Sequence, residues 1–146
     1  MNWNNPQIIK TLFSPDNGLI LYNPMVLLIL AGIYFMIKDR FRDGVVTGVL
    51  FIVLIYVVSS WWLFSFGCGY GSRNFVEYYS LFVFPMAYFV TRSFEKKGIV
   101  LMLSLLLISV FVVYNMKMIY TWDRCWFGSS DWDWGEYLHL LMSGTH

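Results

Sequence analysis

The segment Gly67-Cys68-Gly69-Tyr70-Gly71-Ser72-Arg73-Asn74-Phe75 holds the residue types best suited to binding chemistry in this chain. Glycines lack a Cβ, so a ligand can approach the backbone closely. A helix starting near Phe75 would turn unpaired N–H groups toward an anion, and Arg73 adds a planar fork of donors that matches phosphate oxygens. Gly69, Gly71, Ser72 and Arg73 are therefore the candidate phosphate-binding residues. Such a phosphate would be lipid-linked, because the run neither follows a strand nor has the spacing of a dinucleotide or P-loop fingerprint. A structural role competes and is not exclusive: Glu77 follows Arg73 by four residues on one α-helical face, where the pair would neutralise each other.

Other chemistry-bearing residues have simpler explanations. Asp131-Trp132-Asp133 has the form of an acidic metal motif, but it follows Gly128-Ser129-Ser130 and precedes an amphipathic stretch, so its acids are expected to cap a helix at 131–142. Trp132, Trp134, Tyr137, Leu138 and Leu141 suit such a helix lying in a membrane interface. His139 belongs to its polar face and His146 is terminal, and two isolated histidines make no metal site. Ser14-Pro15-Asp16-Asn17-Gly18 is turn chemistry, with Asp16 as a turn residue rather than a base. Cys68 and Cys125 fall near the same ends of their apolar blocks, where an oxidising compartment would permit a disulfide; two unpaired thiols remain the alternative. No catalytic residue, metal or cofactor is assigned.

The elements that must position these residues are apolar. Hydrophobic residues make up 58% of the 146, charged residues 13%, and mean hydropathy is +0.59, a composition that a soluble domain of this size cannot cover with polar surface. The expected fold is all-α: a polytopic membrane protein with four transmembrane helices at about 19–37, 45–66, 75–90 and 99–120, plus the interfacial tail helix. The 19 uncharged residues of the first block would span roughly 28 Å of a core of about 30 Å. The third block carries Pro85 and is expected to cross kinked. Lys117, in the last turn of the fourth, can snorkel to the headgroups.

Charge orients the bundle. Lys38, Arg40 and Arg42 in one junction, with Arg92, Lys96 and Lys97 in another, account for six of the ten basic residues. The positive-inside rule makes both junctions cytoplasmic and leaves both termini outside. No signal peptide precedes that outside N-terminus, so the expectation is a C-terminal piece of a longer polytopic protein, with N-first translocation as the alternative. A net charge of +1 offers no basic patch of the size nucleic acid requires. The expected partners are membrane lipid and the preceding helices of the same protein.

Leu12-Phe13-Ser14-Pro15 with Gly18-Leu19 and Asn23-Pro24, then Trp61-Trp62 and Gly71-Ser72-Arg73-Asn74-Phe75, resemble the C-terminal transmembrane half of bacterial GT-C superfamily glycosyltransferases, similar to the protein mannosyltransferase and aminoarabinose transferase group. The resemblance covers roughly residues 12–90; the tail, with Trp122-Asp123-Arg124-Cys125-Trp126 and Trp132-Asp133-Trp134, looks like the end of such proteins. It implies sugar transfer from a polyprenyl-phosphate donor at the outer face of the bacterial inner membrane. The family's catalytic carboxylate lies in an early outer loop, and nothing here corresponds to it. Arg73 could stabilise charge on the departing phosphate, while the base would come from elsewhere. The rival reading is a stand-alone, non-enzymatic four-helix accessory or assembly protein. The upstream gene sequence separates the two: continued apolar segments with an early outer-loop Asp favour the enzyme, an in-frame stop the accessory protein.

Overall fold

The structure, a computed structural model, describes residues 1–67, 69–71, 73–96, 98–122 and 128–143. Every regular element among them is helical: α1 (Ile8–Phe13), α2 (Leu19–Tyr22), α3 (Val26–Asp39), α4 (Phe41–Ser59), a 3-10 helix (Arg73–Tyr78), α5 (Tyr79–Lys96), α6 (Gly98–Thr121) and α7 (Trp134–Met142).

The expected first span, 19–37, is not one helix. Asn23 precedes Pro24, and a residue before proline is driven out of the α region; Asn23 accordingly sits at φ −137°, ψ 75°. The chain restarts as α3, whose 14 residues rise only about 21 Å. The second helix occupies Phe41–Ser59 rather than 45–66. Its end is set by the N-terminal segment, since Asn2 and Gln7 donate their backbone N–H to the Ser60 and Ser59 carbonyls at 2.6 and 2.8 Å. Those carbonyls would otherwise be orphans of the last turn. Trp61 and Trp62 thus lie beyond the helix. The third block begins as a 3-10 helix and continues as α5, and α6 matches the expected 99–120 to within a residue at each end.

Helices α3 and α5 run parallel, joined by contacts in step along their length. Gly32 meets Pro85, Phe35 stacks on Phe89 at 6.3 Å, and Arg92 reaches Asp39 at 3.5 Å. A Cβ at Gly32 would lie 1.9 Å from the Pro85 carbonyl oxygen, so only glycine admits this approach. Helix α4 folds back antiparallel across the single residue Arg40, and Gly44 is forced there because a Cβ would stand 2.3 Å from the Ile37 nitrogen. The core between these helices is Leu19, Val26, Ile29, Ile33, Phe51, Val58, Phe75 and Phe82. Arg92 to Asp39 brings Lys38, Arg40, Arg42, Arg92 and Lys96 to one end of the bundle. Lys97 lies outside the described residues.

Helices α4 and α6 are long and apolar enough to cross a membrane, and only 17% and 6% of their apolar windows are buried inside the protein. A soluble protein does not leave surface of that extent to water, so these two helices associate the chain with a membrane.

Gly32→Ala is expected to destabilise the helix pair by about 1–3 kcal/mol or more through overpacking. Gly48→Ala, whose Cβ would meet only the Ile33 side chain at 3.4 Å, should change stability by less than about 1 kcal/mol. Unfolding midpoints in mixed micelles measure both.

Candidate functional site

The end of the bundle away from the basic junctions is organised by residues Ser14 to Gly18, and this is where the structure departs furthest from a simple turn. Ser14, Pro15, Asp16, Asn17, Gly18 and Leu19 are all buried. Ser14 ends α1 in an extended conformation, and its hydroxyl accepts the Asp16 N–H at 3.1 Å while donating to the Asp131 carbonyl at 2.5 Å. Asn17 adopts φ 62°, the left-handed region that asparagine tolerates among non-glycine residues. Its amide donates to the carbonyls of Ser65 at 3.2 Å and Gly67 at 3.5 Å, and its Oδ1 accepts the Gly71 N–H at 3.0 Å. One side chain therefore fastens the glycine-rich loop to the N-terminal turn.

Tyrosines extend the knot. The Tyr22 hydroxyl donates to the Pro15 carbonyl at 2.7 Å, Tyr70 to the Tyr22 carbonyl at 2.9 Å, and Tyr114 to the Leu21 carbonyl at 2.8 Å. The Tyr22 ring is met edge-on by Tyr70, Trp122 and Tyr137 at 5.6 to 5.8 Å, which carries α6 and α7 onto the same centre. Asp133 caps α7 by accepting the Glu136 N–H at 3.1 Å and the Ser129 N–H at 2.9 Å, and these bonds hold its carboxyl below the usual range. Its neighbour Asp131 pairs instead with Lys10 at 2.8 Å, an exposed pair worth at most about 1 kcal/mol. Among the described residues no cluster of His, Cys, Asp and Glu could hold a metal.

Asp16 is the carboxylate most displaced from ordinary behaviour. Burial pushes it up to about 6, the Asp131 charge adds to the effect, and a hydrogen bond with Ser65 opposes it. Burial likewise raises the Tyr70 and Tyr137 phenols.

The glycine-rich loop is not an open phosphate cradle. The Gly71 N–H is spent on Asn17, the Arg73 N–H donates to the Gly71 carbonyl at 2.8 Å, and Gly71, at φ 59°, lies against Tyr22. Gly69 has a different use: the Arg73 side chain lies along it, so that a Cβ there would stand 3.1 Å from Arg73 Cδ. Ser72, Cys68 and Cys125 lie outside the described residues, as does His146.

The expected Arg73–Glu77 pair is not formed; neither residue has an ion-pair partner among the described residues. The reason is helix type. At 3.0 residues per turn positions four apart are rotated by about 120°, whereas in an α-helix they would share a face. Arg73 is exposed. It forms part of the wall between a groove of about 660 Å³, lined by Val57, Val58, Trp61, Phe66 and Val76 as well as Glu77, and a smaller cavity of about 310 Å³ bounded by Asn23, Tyr70, Tyr79 and Asn115. Asp16 lines neither. The sequence reading missed Asn115, whose signal was an amide in an otherwise apolar stretch, and Asn23, which entered it only through the Asn23-Pro24 pair of the family resemblance.

No protein-family model, curated protein or solved structure matches this chain.

Stability should follow the Asp16 titration. An acid whose folded value is raised to about 6 from 3.8 holds its proton more tightly folded than unfolded, so the contribution of Asp16 to stability is greatest below about pH 4 and falls until about pH 6. Asp16→Asn is expected to flatten that fall and raise the unfolding midpoint at pH 7.5. A midpoint measured across pH 4 to 7.5 in both proteins checks it.

Proposed function

We propose that this chain is the membrane-embedded C-terminal part of a polyprenyl-phosphate-sugar-dependent glycosyltransferase, supplying part of the lipid-phosphate groove but not the catalytic base. The reading rests on one observation: an exposed guanidinium, with no carboxylate within ion-pair distance among the described residues, at the edge of a groove with largely apolar walls. That is the chemistry of an amphiphile with an anionic head. The phosphate oxygens would take the Arg73 fork, and the prenyl chain would lie along Val57, Val58, Trp61, Phe66 and Val76.

In this role Arg73 stabilises charge that builds on the phosphate as the sugar leaves, an interaction stronger in the transition state than before it. Asp16 reaches neither cavity, so it is not placed to take the acceptor proton, and the base is assigned to another part of the full-length enzyme. The proposal includes four spans, with α2 and α3 together forming the first, in the bacterial inner membrane with both termini periplasmic. The five described basic residues gathered at one end support that orientation.

Arg73→Ala in the full-length enzyme is expected to lower transfer per folded molecule by roughly tenfold to 150-fold, the value of a charged hydrogen bond of about 1.5 to 3 kcal/mol. Arg73→Lys should fall between wild type and Arg73→Ala, because an ammonium cannot reproduce the bidentate fork. Unchanged transfer in Arg73→Ala membranes overturns the role.

A cysteine engineered at Arg40 or Lys96 is expected to resist a membrane-impermeant thiol reagent in intact cells. Labelling of either, normalised to the permeabilised control, reverses the orientation.

A further inference from the structure

We propose that the cavity of about 310 Å³ on the other side of Arg73 is a binding site for the hydroxyl-bearing headgroup of a phosphodiester amphiphile. The inference rests on the lipid-phosphate reading of Arg73 and adds to it the part of the ligand beyond the phosphate.

The polar atoms lining the cavity are complementary to vicinal hydroxyls. Asn23 donates its side-chain amide N–H to the Tyr79 hydroxyl, which leaves the Tyr79 proton and the Asn23 Oδ1 without partners among the described residues. Asn115 has no hydrogen-bond partner among them either, so its side chain offers two donors and an acceptor. Tyr70 adds an aromatic face. The cavity thus holds donors and acceptors in alternation, as a polyol requires, while its one cation is at the wall it shares with the apolar groove.

Asn115 gives the inference its weight. It stands six residues before the end of α6, about 9 Å below that end, in a helix where Met118 is the sole buried residue among those described. Its side chain is half-buried and open to the cavity, and no buried side-chain polar atom among the described residues lacks a partner, so whatever fills that space must satisfy the amide. It faces the cavity, and no described side chain satisfies it. A sugar and a glycerol headgroup present the same hydroxyl chemistry, so the ligand class is a phosphodiester with vicinal hydroxyls on one ester arm and an alkyl chain on the other.

The test uses the full chain in phosphatidylcholine nanodiscs with three probes of equal charge: dodecyl phosphate esterified to ethanol, to glycerol or to a hexose. Wild type is expected to bind a hydroxylated diester more tightly than the ethyl diester, by roughly three- to tenfold for one neutral hydrogen bond. The tighter of the glycerol and hexose arms identifies the source. Asn115→Leu should erase the preference and leave ethyl diester binding unchanged, and Tyr79→Phe, which keeps the ring, should reduce the preference. Arg73→Gln should weaken all three probes by the same factor. Equal binding of all three by wild type, or an Asn115→Leu loss shared equally by the ethyl diester, overturns the inference. If the ethyl diester binds through Arg73 without a hydroxyl preference, the inference falls and the lipid-phosphate reading stands. If no diester binds, both fall.

Discussion

The arrangement depends on the Asn17 side chain. A left-handed asparagine buried in a turn satisfies carbonyls at Ser65 and Gly67 and an N–H at Gly71. These backbone groups belong to a connection with no regular structure of its own, and burying them unpaired would cost about 1–3 kcal/mol each. Asn17 supplies the partners a strand or helix would otherwise provide. It thereby fixes where Gly71 leaves the turn, and two residues later the chain presents Arg73. Ser14 performs the corresponding task toward the tail by holding the Asp131 carbonyl. The bundle and the tail converge on this turn, and the cavities beside Arg73 are spaces left by that convergence.

The balance of forces differs between the two ends of the molecule. At the basic end the contacts are exposed charge pairs, Arg92 with Asp39 and Glu95, and exposed pairs of this kind contribute little. At the other end the hydrogen bonds are buried and join segments distant in sequence. Helix α6 takes part there through Tyr114 and Met118, while its remaining length meets the protein only lightly. Such a helix is held by its lipid-facing surface and by one polar anchor. That leaves its apolar face for acyl chains or for neighbouring helices.

How far the sequence reading reached depends on which force decided each element. The span 99–120 was legible because length and apolarity alone determine it, and the bonds of Asp133 follow from its spacing to Glu136. The block at 19–37 read as one helix because hydropathy does not register the backbone restriction that Pro24 places on Asn23. The end of α4 could not be read locally, since it is decided by Asn2 and Gln7, more than fifty positions away. Ser14 to Gly18 was correctly a turn, but turn chemistry is identical whether the turn is solvated or buried. Only the burial of Asp16 distinguishes the two, and burial belongs to the fold rather than to the segment.

Arg73 was legible as a residue but its surroundings were not, and the difference turns on a single local choice. Reading residues 73–78 as α-helix pairs Arg73 with Glu77 and leaves the glycine-rich N–H groups open to an anion. The observed 3-10 turn rotates Glu77 away, draws the Arg73 N–H back to Gly71, and commits the Gly71 N–H to Asn17. The Gly71 and Arg73 N–H groups are thereby committed within the chain, while the guanidinium has no carboxylate within ion-pair distance among the described residues. The cost is one weak interfacial ion pair, of the order of 0.2–0.5 kcal/mol. A guanidinium released at that small cost lies along Gly69 between a largely apolar groove and a cavity whose Asn115 amide has no partner among the described residues, and it is this placement, rather than the glycine backbone, on which the proposed headgroup reading depends.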